Sequence, residues 1–230
     1  MSHFIVAVFT HDPDDVETLL APYSEQDEKY LQFCPCEETK EELERQYACE
    51  KENYPDFDAF MRRYFGYEKV RGVWGYWSNP DARWDWYEKG GRWSGMLRLK
   101  NGDTADEALV SEVDWAPDPD KQREAVRFWE VAVEGQPLQP GEKEEDFCSF
   151  WKPAYYTEQY GTKENYALAQ ASLFPFAMIT ADGEWMETGE MGWFGMHSGT
   201  GDTRKAFETC FTQYVQDHPD QYITMVDCHI

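Results

Sequence analysis

Two groups of residues have the types and spacing to do chemistry. The first is NPDARWDWYEKGGRW at residues 79–93. Five of the ten tryptophans fall between residues 74 and 93, which concentrates π surface in one segment. Trp84, Trp86 and Trp93 offer flat faces, Tyr87 sits among them, and Arg92 offers a planar fork of donors. Asp85, between two indoles, can accept a bond from a ligand or from Arg92. A planar ligand with an anionic group suits such a wall, so Trp84, Asp85, Trp86, Tyr87, Arg92 and Trp93 form a candidate ligand site. The same residues also suit a purely structural role. The indoles would then fill the core, Asp81 would cap a helix, Gly90 would stop it, and Arg92 would pair with Asp85. The adjacent Gly90 and Gly91 permit a tight backbone path in either case.

The second group lies at the two ends of the chain. If the first and last strands pair antiparallel, His3 comes near Asp227, Cys228 and His229. Side chains alternate along a strand, so Asp227 and His229 share one face and Cys228 points to the other. His3, Asp227 and His229 are therefore a candidate divalent-metal site. The alternative is a strand end that simply carries polar residues. No other cofactor is implied, and no residue is assigned as catalytic. Cys34-Pro-Cys36 has the wrong spacing for a ligand pair. Ser198-Gly-Thr-Gly201 resembles an anion nest before a helix but lacks the lysine of a phosphate loop. No GxSxG, HExxH or strand-following GxGxxG occurs.

Charge constrains partners more sharply. The chain has 45 acids against 21 Lys and Arg, a net charge of −24 over 230 residues. Such a surface repels phosphates and anionic membranes, which argues against direct nucleic-acid or membrane binding. It attracts basic protein surfaces. Residues 11–58 carry half of the net charge, and Glu37, Glu38, Glu41, Glu42 and Glu44 form a candidate partner-binding patch. Acidity that serves only solubility is the competing account. No basic residue precedes the apolar run at residues 4–9, and no run approaches a membrane span, so neither a leader nor an anchor is expected. The six cysteines (34, 36, 49, 148, 210 and 228) read as free thiols in a reducing cytoplasm.

The elements that would position these residues follow from periodicity and caps. Residues 3–9 (HFIVAVF) form a buried strand, and a short helix follows near 14–20. Thr39 and Glu42 have capping-box spacing, with Leu43 and Tyr47 one turn apart behind them. Asp56 caps a helix with Phe57, Phe60, Met61, Tyr64 and Phe65 on one stripe, ended by Gly66. Strands are expected at 73–77 and 92–99, with an Asp81-capped helix running up to Gly90 between them. Asp118-Pro119 opens a helix bearing Ala125, Phe128, Trp129 and Ala132. Residues 136–165 are polar and read as a surface excursion or mobile loop. A hairpin spans 174–188, a glycine-rich stretch runs over 189–201, Asp202 caps a helix ending at His218, and residues 222–229 form the last strand. The order suggests one α+β domain over residues 1–230. Its single mixed or antiparallel sheet would be ferredoxin-like, with helices on one face and the first and last strands adjacent.

MSHF at residues 1–4, the block at 79–93, GEMGW at 189–193 and VDCHI at 226–230 together resemble an uncharacterised family of small acidic proteins of bacteriophage and prophage genomes. The resemblance implies a phage context and a site of action in the bacterial host cytoplasm. It implies no activity. With the charge, it raises the expectation of an anti-defence protein, of the anti-CRISPR or DNA-mimic kind. Such a protein inhibits a host defence nuclease or another basic nucleic-acid-binding protein. The alternative is a protein that sequesters a nucleotide on the tryptophan block, or a metal-dependent hydrolase using that block with His3 and His229.

Overall fold

Residues 3–9 alternate no polar residue with their apolar ones, the pattern of a strand buried on both faces. In the computed structural model, which describes residues 2–189 and 198–230, this segment is the central strand of the largest sheet. In chain order the elements begin with β1 (His3–Thr10), α1 (Val16–Leu20), β2 (Gln32–Pro35), α2 (Lys40–Glu50), α3 (Phe57–Tyr64), β3 (Glu68–Val70), β4 (Val73–Ser78) and β5 (Trp86–Lys89). They continue with β6 (Leu97–Arg98), β7 (Thr104–Ala105), β8 (Glu107–Leu109), α4 (Pro119–Phe128), α5 (Pro153–Tyr160) and α6 (Lys163–Ala171). The last are β9 (Ala177–Ile179), β10 (Trp185–Glu187), α7 (Gly201–Asp217) and β11 (Tyr222–His229). The chain divides into two compact units, one of Met1–Leu20 with Trp86–Ile230 and one of Ala21–Asp85.

The larger unit is built on a mixed sheet in the order β10-β9-β1-β11-β5, with β8 also paired to β11. The first and last strands are antiparallel neighbours along their whole length, from His3 opposite His229 to Thr10 opposite Tyr222. β9 runs parallel to β1, and β9 and β10 form the expected hairpin. On one face Ile5, Ala7, Phe9, Ile223 and Met225 pack with Phe207, Phe211 and Val215 of α7. Opposite, Val6 and Val8 are fully buried, and α1 packs on β1. A second core of this unit joins α4 to α6 through Ala125, Trp129, Tyr166 and Ala167, with Tyr156 and Tyr160 of α5 against it.

The smaller unit has its own antiparallel sheet, β2-β4-β3, and a core of Leu43, Phe60, Met61 and Trp74. Thr39 and Glu42 close the expected capping box on α2, and Asp56 caps α3 through the Ala59 N–H. Asn79 is buried and fastens the chain after β4. Its side-chain amide donates to the carbonyls of Pro22 and Ser24 at 2.7 and 2.9 Å.

Several expectations need correction. The fold is α+β with a mixed sheet, but the described strands form three sheets rather than one ferredoxin-like sheet. Residues 32–35 and 68–70 pair with β4 and not with the long strands, and β6 pairs with β7. The expected helix from Asp81 to Gly90 is strand β5, because residues 86–89 complete the hydrogen bonding of β11. The strand expected over 92–99 shrinks to Leu97–Arg98 after a 3-10 turn at Gly91–Trp93. Residues 136–165 are not all loop: α5 fills Pro153–Tyr160 and buries tyrosines. Thr200, not Asp202, caps α7. The glycine-rich stretch lies largely outside the described residues. All six cysteines are free.

The polar part of the 136–165 segment is tied down by charge. Arg127 grips Glu142 with two hydrogen bonds of 2.8 and 2.7 Å, and the Gln139 N–H adds a third at 2.7 Å. The guanidinium pulls the Glu142 carboxyl from 4.5 down to about 2. A carboxyl lowered on folding stabilises the native state above its unfolded value and loses that contribution as pH falls through the folded one. Hydrogen exchange over residues 137–147, corrected for intrinsic rates, should therefore accelerate as pH drops from 4.5 toward 2. In Glu142→Gln this acid-linked acceleration should be absent; equal acid sensitivity in both proteins would show that the clamp is not the cause.

Candidate functional site

The register of β1 and β11 brings the two chain ends together. Asp227, 1% exposed, lies within β11. Its Oδ1 sits 2.8 Å from His3 Nδ1, and its Oδ2 accepts the Arg92 N–H at 3.1 Å. The contact engages Nδ1 of His3 and leaves Nε2 as its other ring nitrogen. The imidazole ring of His3 meets that of His229 edge-on, with centroids 4.9 Å apart, and lies 6.2 Å from the Trp86 ring. β5 continues this grouping by placing Trp86 opposite His229 and Tyr87 opposite Cys228.

The paired glycines make the approach possible. Gly91 has φ +49°, and a Cβ there would lie 2.5 Å from the Asp227 Cβ. Gly90 has φ +70°, and a Cβ there would lie 2.4 Å from the Asp106 carboxylate. Asp106 in turn accepts the Gly95 N–H at 2.6 Å and the Ser94 hydroxyl at 3.1 Å. Two carboxylates from later in the chain thus press against a two-glycine turn, Asp106 at Gly90 and Asp227 at Gly91. Both positive φ and lack of a side chain are needed.

The arrangement is an Asp–His pair beside a second histidine and a half-exposed indole. Such a pair can hold an imidazole in one tautomer for proton transfer or for metal ligation. Cys228, one residue away, takes no part: it points to the other face, and burial pushes its thiol well above the usual range. Burial, with Glu17 nearby, also raises the Tyr87 hydroxyl, which keeps that group neutral. Among the described residues, no group of three His, Cys, Asp or Glu is arranged to hold a metal. In the expected set of His3, Asp227 and His229, both oxygens of Asp227 already hold protein donors.

The tryptophan block is divided between the two units. Trp84 and Asp85 belong to the smaller unit, where Trp84 is 8% exposed and bridges to Ser24. Trp84 is therefore buried. Trp93 packs on the main core of the larger unit. Arg92 contributes its backbone N–H, and its side chain is exposed. Trp86, 49% exposed, keeps a free indole surface.

The acidic patch is partly committed to structure. Glu42 serves the Thr39 cap, whose N–H and hydroxyl hold its carboxyl below the usual range. Glu44 lies 3.6 Å from Lys40. Glu37 and Glu41 are exposed. Glu37, Glu38 and Glu42 line a groove of about 450 Å³ with Gln46, Tyr67 and Tyr76. The two tyrosine rings stack 5.8 Å apart. Burial raises the Tyr67 hydroxyl, and Glu38, which reaches it, adds to the shift. Sequence spacing gave no sign of this groove, because Tyr67 and Tyr76 meet only through the pairing of β3 and β4. A second groove of about 640 Å³, lined by Lys121, Arg127, Phe128, Phe147 and Tyr166, was equally hidden. Comparison with family models, curated proteins and solved structures finds no match.

The glycine turn gives a direct test. Gly91→Ala combines a left-handed backbone with a clash against Asp227 and should cost about 2–5 kcal/mol in chemical denaturation. Gly102→Ala, at φ +91° with nothing within 4 Å, should cost only the backbone part. Equal losses in the two variants would mean that Asp227 does not need the space.

Proposed function

We propose that this protein is an acidic interaction protein of phage origin. It binds and inhibits a basic nucleic-acid-binding protein of the bacterial host, such as a defence nuclease, in the host cytoplasm. The observation that carries this reading is the groove of Glu37, Glu38 and Glu42 walled by Tyr67 and Tyr76. Carboxylates beside stacked π faces suit the guanidinium of an arginine, which pairs with one and stacks on the other. The charge of −24 supports it by steering cationic surfaces toward the protein. The smaller unit has 15 acids and nine bases, so most of the excess lies on the larger unit.

The test is inhibition of purified restriction and CRISPR nucleases across a salt series. Affinity should fall with salt, DNA should compete with the protein, and Glu37→Gln with Glu38→Gln should weaken inhibition at least about tenfold. Salt-independent inhibition, or DNA and protein bound at once, would sink the reading.

A second reading rests on the His3–Asp227 pair beside exposed Trp86: a nucleotide stacked on the indole, sequestered or hydrolysed there with a metal. Melting-temperature screens with nucleotides separate the two.

A further inference from the structure

β1 and β11 set His3 and His229 directly opposite one another, so both side chains rise from the same face of the sheet. Their ring centroids are 4.9 Å apart. His3 is held from behind by Asp227 at 2.8 Å from Nδ1. With that nitrogen engaged, the available lone pair of His3 lies on Nε2. A buried carboxylate that fixes the tautomer of an imidazole and raises its basicity is the support that metal-ligating histidines use. Asp227 is 1% exposed, and its other oxygen accepts the Arg92 N–H, so it is placed to orient a ligand and not to be one.

We propose that His3 and His229 together bind one transition-metal ion of the Zn2+, Ni2+ or Cu2+ class, with Asp227 as the outer-shell partner of His3. The donors set the class. Imidazole nitrogen suits these ions, whereas Mg2+ and Ca2+ take oxygen ligands. Two protein nitrogens leave the remaining positions to water or substrate, unlike the four-ligand closure of a structural zinc site. The half-exposed Trp86 lies 6.2 Å from the His3 ring. This inference does not depend on the partner-binding reading, which concerns the smaller unit.

The experiment is calorimetric titration of the purified full chain with Zn2+ in excess Mg2+, which occupies the surface carboxylates. One Zn2+ should bind per chain. His3→Ala and His229→Ala should each weaken binding at least about tenfold, and Asp227→Asn by about 10–100-fold. His218→Ala should leave it unchanged. Melting curves report whether each variant folds, and His229→Gln replaces any alanine variant that does not. Absence of one-to-one binding in excess Mg2+, or binding that survives either histidine substitution, overturns the site. Loss in both histidine variants with no change in Asp227→Asn overturns the outer-shell role.

Discussion

The buried carboxylate of Asp227 is the constraint around which the larger unit is organised. Removing a carboxylate from water costs several kcal/mol unless its oxygens find donors. Here one oxygen takes the His3 imidazole from β1 and the other takes a backbone N–H from the turn after β5. The three segments that supply these groups are far apart in sequence. They can satisfy Asp227 together only if β1 and β5 flank β11 in the observed registers. A shift of one residue would turn Asp227 to the other face and leave it without a partner. The glycine pair is the backbone consequence, since no other residue fits between the turn and the carboxylates.

Aromatic rings supply what aliphatic residues do not. The smaller unit builds its core on Phe60, with Tyr47, Tyr54, Phe57 and Phe65 packed around it at centroid distances of 5.3–6.3 Å. The α4–α6 core does the same with Trp129, Tyr156 and Tyr166. Large rings bury much area per residue and gain from edge-to-face contacts, about 0.5–1.5 kcal/mol each. A chain so rich in charge can therefore fold with few aliphatic side chains. The same chemistry shapes the tyrosine-walled groove, where rings left partly open stand beside carboxylates. Stability and the proposed recognition of a basic partner draw on one composition.

Much of the site was legible before folding, and for a simple reason. Strand alternation and the pairing of the chain ends placed His3 with Asp227 and His229 and sent Cys228 the other way. Capping chemistry marked α2, α3 and α4 through Thr39, Asp56 and Asp118, because caps depend on neighbours three or four residues away. Trp84 misled because an indole in sequence looks alike whether it lines a pocket or fills a core. Asp106 had no visible signal at all, since its role exists only against Gly90, Ser94 and Gly95.

Three features were already present in the amino-acid sequence: the acidic composition, the aromatic core and a buried first strand at residues 3–9. These follow from composition and local periodicity. Only the tertiary structure decided that the strands divide among three sheets, that residues 86–89 extend and do not coil, and that Asp227 supports His3. Each of those outcomes turns on which distant backbone satisfies which hydrogen bond, and no local pattern encodes that choice.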